Sequence, residues 1–206
     1  QIVRVALSMP ETVRRRTIFE ANQPENCEIF DGIRARPGWV GCALSYKTLA
    51  HFGLSNKIHK LTIMEDDVLL PIDFEDKWRI VNEFLDSIDG QWDCFCGLIA
   101  TVHPTTKIIK STVFKGVTFL TINKMTSMVC NIYSTSGLQI MSKWDMNNHN
   151  DATNTIDKYL ENQAELRVVV AIPFVIGHRE DERSTLWGFK NITYTKLIQE
   201  SQETLI

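Results

Sequence analysis

Apolar and polar positions alternate along the chain with two different periods. Ile2 to Ser8 reads as a first strand, broken at Pro10, and a helix is expected to begin near Glu11 and to carry Arg14, Arg15 and Arg16. Cys27 to Phe30 reads as a short second strand closed by Asp31-Gly32, a turn pair. Val40, Ala43, Leu44 and Lys47 recur at helical spacing and predict a helix from about Trp39 to Phe52. Leu61 to Met64 is a compact apolar strand that runs directly into Glu65-Asp66-Asp67. The clearest helical pattern follows Pro71: Phe74, Trp78, Val81, Leu85 and Ile88, spaced by four, three, four and three.

Further on, Trp92 to Ile99 reads as an apolar strand. Val117 to Ile122 and Met128 to Tyr133 read as two more in succession, suggesting an antiparallel return. Helices are expected over Thr135 to Trp144 and Ile156 to Ala164, with a polar, Asn-rich loop between them, and Leu166 to Ile172 is a last strong strand before Pro173. This alternation predicts an α/β sandwich with a mostly parallel central sheet. With neither an internal repeat nor a linker, residues 1–206 are expected to form one domain.

Composition narrows the function classes. Lys and Arg number 22 against 25 Asp and Glu, a formal charge of −3, so no basic field points to nucleic acid. No stretch approaches the roughly 20 apolar residues of a membrane span; peripheral membrane association stays open. Five cysteines, an odd number without framework spacing, favour free, buried thiols and a reducing, cytoplasmic compartment. Because the chain begins with Gln1 rather than Met, a trimmed or excised domain is expected, and a targeting segment could lie outside it.

The chemistry is expected at Glu65-Asp66-Asp67. Three adjacent acids at the end of a buried strand repel one another, and a divalent cation relieves that cost because hard cations take carboxylate oxygens. In open α/β sheets ligands bind beyond the carboxyl ends of the strands, where this triplet falls. A solvated acidic turn is the alternative.

The surrounding residues carry a resemblance. Ile63 to Val68 (IMEDDV) resembles the LEDD-hydrophobic core motif of glycosyltransferase family 25, which includes lipopolysaccharide sugar transferases and collagen galactosyltransferases. Gly41 to Ser45 (GCALS) is similar to its GC-x-LS-H helix, Asp31-Gly32 to its A-x-DG turn, and Arg14 to Arg16 to its early arginine pair. Ser136-Gly137-Leu138 and Ile156 to Leu160 (IDKYL) are similar to its GA-x-x-LL and VD-x-x-L segments. The matches run in order over most of the chain. Two positions depart: Tyr46 stands where the family has His, and Ser8-Met9-Pro10 stands where an NL-x-x-R pattern is expected.

The resemblance implies a GT-A-type nucleotide-sugar-binding sandwich and an inverting transfer of a hexose, galactose first, from a UDP-sugar to a glycan acceptor such as a lipopolysaccharide. Mn²⁺ or Mg²⁺ is the implied cofactor. Asp67 is then the expected direct metal ligand, Asp66 the second, and His178 the third. Glu65, Asp66, Arg14 and Arg15 are the expected donor-binding residues; of the arginines only one can face the diphosphate, since neighbours on a helix lie about 100° apart. Asp157 is the expected general base, with Asp151 as substitute; helix capping is the competing role for Asp157. Arg183 to Thr185 are a second candidate phosphate or acceptor contact. Trp39 and Trp187 could stack on sugars, although core packing is the better reading of both. Two other classes stay in view: a catalytically silent nucleotide-sugar-binding module, and a phosphohydrolase, disfavoured because no second His/Asp cluster accompanies the triplet.

Overall fold

The computed structural model describes residues 2–180 and 193–206. Arg183 to Thr185 and Trp187 lie outside the described residues. Eight strands form one mixed sheet in the order β2-β1-β3-β8-β5-β9-β7-β6. These are β1 (Ile2–Ser8), β2 (Cys27–Asp31), β3 (Lys60–Glu65), β5 (Cys94–Cys96), β6 (Ile108–Phe114), β7 (Val117–Ile122), β8 (Cys130–Ser134) and β9 (Val168–Ile172). β1 is parallel to β2 and β3, and β5 to β9, while β8 is antiparallel to β3 and β5 and β7 to β9 and β6. Only β7 and β8 therefore run against the rest. A separate pair, β4 (Val68–Leu69) and β10 (Gly177–His178), is antiparallel.

Helices cover both faces, which is why the central strands read as continuous apolar runs. Leu61 and Ile63 of β3 and Val168 and Val170 of β9 point into one core. There they meet α2 (Gly38–Ser55), α4 (Thr135–Ser142) and α6 (Ile156–Glu161) through Ala43, Leu49, Leu138 and Leu160. Met64, Val169 and Ala171 point to the opposite core, against Phe19 of α1 (Val13–Ala21) and Phe74, Trp78, Val81 and Leu85 of α3 (Phe74–Ser87). The four-three spacing in α3 brings Trp78 edge-on to Phe95 of β5, ring centroids 5.6 Å apart.

Several expectations change. The strand expected from Trp92 to Ile99 shortens to Cys94–Cys96, because beyond it Gly97 bonds the Cys130 carbonyl and accepts from Val175 instead of continuing the ladder. β7 and β8 do not pair. β7 instead returns from β6 through Lys115-Gly116, both at positive φ (49° and 81°), as a two-residue hairpin turn requires. β6 lacks an apolar alternation because it is the sheet edge, with Ile108 to Ser111 exposed. α5 (Asp151–Asn154) sits inside the Asn-rich loop, and a C-terminal helix, α7 (Tyr194–Thr204), docks through Leu205 and a Ser201 hydroxyl donating to the Ala100 carbonyl at 2.9 Å. All five cysteines are free, and four are buried. Burial pushes the Cys27 thiol up to about 11, and Cys94 and Cys130 are raised as well. Among the described residues no helix is long and apolar enough to cross a membrane.

Candidate active site

Strand direction gathers the site. β1, β3, β5 and β9 run the same way, so Ser8, Glu65, the segment after Cys96 and the segment leading to His178 all emerge at one edge of the sheet. β8 runs the other way, and its start brings Ser127 to Val129 to that edge.

At the end of β3 the three acids part company. Asp66 and Asp67 are buried, and Glu65 is partly buried. Asp66 accepts from the Ser8 hydroxyl at 2.6 Å and from the Arg15 guanidinium. Asp67 Oδ2 lies 2.9 Å from Arg15 Nη2 and 3.3 Å from His178 Nε2. Glu65 Oε1 is 3.4 Å from the Tyr46 hydroxyl, which also donates to the Met128 carbonyl at 3.1 Å. Tyr46, fully buried, thus touches the acidic turn directly.

Electrostatics separate the three further. Burial, and then the charge of Asp67, pushes Glu65 up to about 8, well above the ordinary carboxylate range. Burial also raises Asp66, with Arg15 and Ser8 opposing it. For Asp67 burial alone would raise the carboxyl, but the hydrogen bond from His178 and the charge of Arg15 outweigh it and hold it below the ordinary range.

Arg15 therefore supplies the positive charge expected of a metal, and the sequence offered no sign of that pairing across 51 positions. It sits where it does because Phe19, one turn along α1, is anchored in the core. Arg16 turns aside to Asp31, at 2.7 Å, and Arg14 is exposed and lines neither cleft described below.

The expected ligand trio Asp67, Asp66 and His178 does not converge on one point. Asp66 is committed to Ser8 and Arg15, and among the described residues no group of three His, Cys, Asp or Glu is arranged to hold a metal ion. Asp67 with His178 does fit two adjacent positions of a coordination shell. Their facing atoms are 3.3 Å apart, close to the roughly 3.0 Å between adjacent ligands of an octahedral ion with bonds of about 2.1 Å. Asp67 Oδ1 and His178 Nδ1 are both buried without a hydrogen-bond partner among the described residues. The Tyr194 ring stacks on the His178 ring, centroids 4.7 Å apart and 24° between planes, a contact the sequence reading missed because α7 was not foreseen.

Two clefts flank this wall. The first, about 570 Å³, is lined by Ser8, Arg15, Arg34, Arg36, Gly38 and the acidic turn among others. Its far side is the segment after β2, which α2 approaches so closely that a Cβ on Gly41 would sit 2.3 Å from the Ile33 carbonyl oxygen. Ser45 fastens that approach, accepting from the Ile33 amide at 2.8 Å and donating to the Gly41 carbonyl at 2.8 Å. Arg34 is paired with Glu11, at 2.6 Å.

The second cleft, about 520 Å³, holds Asp157, Asp151, Lys158, Thr126, Tyr194 and Trp39 among others. Glu65, Asp67 and Cys42 line both clefts. Trp39 is buried and packs edge-on to Trp144, so its first role is the core. Asp157 lies in the first turn of α6, where the N-cap Thr155 makes no side-chain cap bond. The Asn-rich loop that precedes it is knotted: Asn154 Nδ2 donates to the carbonyls of Asp145 and Asn148, and Trp144 donates to the Asn154 carbonyl. Those bonds hold the start of α6 at the cleft.

No family model and no curated protein matches the chain. Among solved structures, the crystal structure of A197 from STIV aligns over 89% of this chain and 96% of that chain, at 12% identity and a TM-score of 0.42.

Proposed function

We propose that this chain transfers a hexosyl group, with galactose the first candidate, from a UDP-sugar to a hydroxyl of a glycan acceptor. One observation carries the reading: two clefts of similar size share a carboxylate wall, the first rimmed by arginines and the second holding the helix-start carboxylates Asp157 and Asp151. The division suits a reaction with two substrates and one meeting point.

The first cleft has the features that a nucleoside diphosphate needs. Arg15, Arg34 and Arg36 offer guanidinium groups, whose planar donors match phosphate oxygens, and the start of α2 at Gly38 adds partial positive charge. A divalent cation, Mn²⁺ or Mg²⁺, held by Asp67 and His178, would stabilise the charge that develops on the departing diphosphate. In the second cleft Asp157 takes the proton of the acceptor hydroxyl. The acceptor oxygen then bonds to the anomeric carbon from the face opposite the phosphate. The bond from that carbon to the phosphate oxygen breaks, and its electron pair leaves with the diphosphate. Attack from the opposite face inverts the configuration. The free buried thiols support a reducing, cytoplasmic setting.

The Arg15 grip on both aspartates favours one alternative, a catalytically silent module that binds the nucleotide-sugar without turning it over. Release of UDP, measured over a panel of nucleotide sugars with Mn²⁺, separates the two. Turnover of one donor, accelerated by a saccharide, is the expected result. Binding of UDP without turnover of any donor would leave the silent module, and absence of both binding and turnover would sink the nucleotide-sugar reading.

A further inference from the structure

We infer that Arg15 is a resident counter-ion that competes with a divalent cation for Asp67, so that the site holds metal weakly until an anion draws the guanidinium away. The inference rests on the cation role of Asp67 and His178 in the function proposed above, and it goes beyond that role by assigning a competitor for it within the chain itself.

Three features lead to it. Arg15 is buried, and its Nη2 atom bridges Asp66 and Asp67, contacting Asp66 Oδ1 and lying 2.9 Å from Asp67 Oδ2. That same Asp67 oxygen faces His178 Nε2 at 3.3 Å, so a cation shared by Asp67 and His178 would sit next to the guanidinium. Like charges that close, in surroundings poor in water, repel strongly. Finally, Arg15 lines the first cleft, where an incoming diphosphate would offer it another anion. Asp67 Oδ1, buried and without a hydrogen-bond partner among the described residues, is the oxygen available to a cation in the meantime.

The alternative is a purely architectural ion pair. An architectural arginine predicts that its removal damages the site, and with it any affinity for metal. A competing arginine predicts the opposite. In Arg15→Met the two aspartates lose their internal cation, and Mn²⁺ becomes their replacement.

The test is titration of the whole protein with Mn²⁺ alone, with no nucleotide present, following free Mn²⁺ by electron paramagnetic resonance and stability by thermal melting. Arg15→Met is expected to bind Mn²⁺ at least tenfold more tightly than the parent protein, and to gain more in Tm from Mn²⁺ than the parent does. Arg15→Lys is expected to fall between them, because it keeps the positive charge on a shorter, flexible side chain without the fixed planar donors of the guanidinium. An Arg15→Met protein that folds only when Mn²⁺ is present supports competition. Mn²⁺ affinity unchanged or weakened in Arg15→Met overturns it. If that variant folds under neither condition, Arg15→Lys decides, and an affinity equal to the parent's overturns the inference. No nucleotide sugar enters the measurement, so failure of the transfer reading leaves this result standing, and the converse holds too.

Discussion

Replacing Asp157 by Asn separates the proposed general base from a helix-start residue. The side chains are nearly isosteric, so the change removes the ability to take a proton and little else. A positioned base contributes about 10²- to 10⁴-fold, or about 3–5 kcal/mol of barrier. The structural cost is small by comparison. Asp157 lies in the first turn of α6, so the loss is chiefly its interaction with the helix dipole, about 0.3–1 kcal/mol. For a chain of this size the Tm should fall by no more than about 4 °C. Asp157 does not line the first cleft, so UDP with Mn²⁺ should protect the variant as it protects the parent. Turnover is read by UDP release in the presence of acceptor, and donor binding by the thermal shift. Full turnover in Asp157→Asn would refute the assignment and move the role to Asp151, which lines the same cleft. Loss of the UDP-dependent shift would refute the division of labour between the clefts.

Other outcomes follow from the same geometry. Gly41→Ala places a methyl group 2.3 Å from the Ile33 carbonyl oxygen, so calorimetry should show a loss of about 1–3 kcal/mol, and UDP protection should weaken as the cleft wall shifts. Tyr194→Ala removes the ring stacked on His178 and should cost about 0.5–1.5 kcal/mol while weakening Mn²⁺ binding; Tyr194→Phe should restore both, and no recovery would mean that the hydroxyl matters more than the ring. Asp93→Asn breaks a buried clamp at the other end of the sheet, where the carboxylate accepts from the Arg167 amide at 2.8 Å and its guanidinium at 2.7 Å. Arg167 keeps some solvent, so the loss should be about 2–3 kcal/mol at pH 7. For Asp93 burial alone would raise the carboxyl, but the bonds from Arg167 and Ser136 outweigh it and depress it in the folded chain. A depressed carboxyl stabilises above its unfolded value of about 3.9, and that stability is lost as pH falls through the folded value. Urea titrations should therefore show the gap between parent and Asp93→Asn narrowing below pH about 4; a gap independent of pH would contradict the clamp.

Local spacing in the sequence was enough for what depends on local burial. Strands covered on both faces read as apolar runs, so β1, β3 and β9 were legible to within a residue or two, and α3 was legible because one face of it meets a core. The acidic turn and the carboxylate at the start of α6 were visible for the same reason: each is a short run tied to an element end. Tertiary structure decided what depends on distant partners. Edge strand β6 shows no alternation because water touches most of it, and α7 lies beyond the last strong strand. That β8 enters the sheet between β3 and β5, rather than beside β7, is a matter of strand order that no spacing records. The counter-charge of the acidic turn was the largest revision. Three neighbouring acids called for a cation, and spacing could not show that a guanidinium 51 residues earlier would be carried to them by a helix anchored at Phe19. Charge balance is a condition on the folded site, and the sequence states only one side of it.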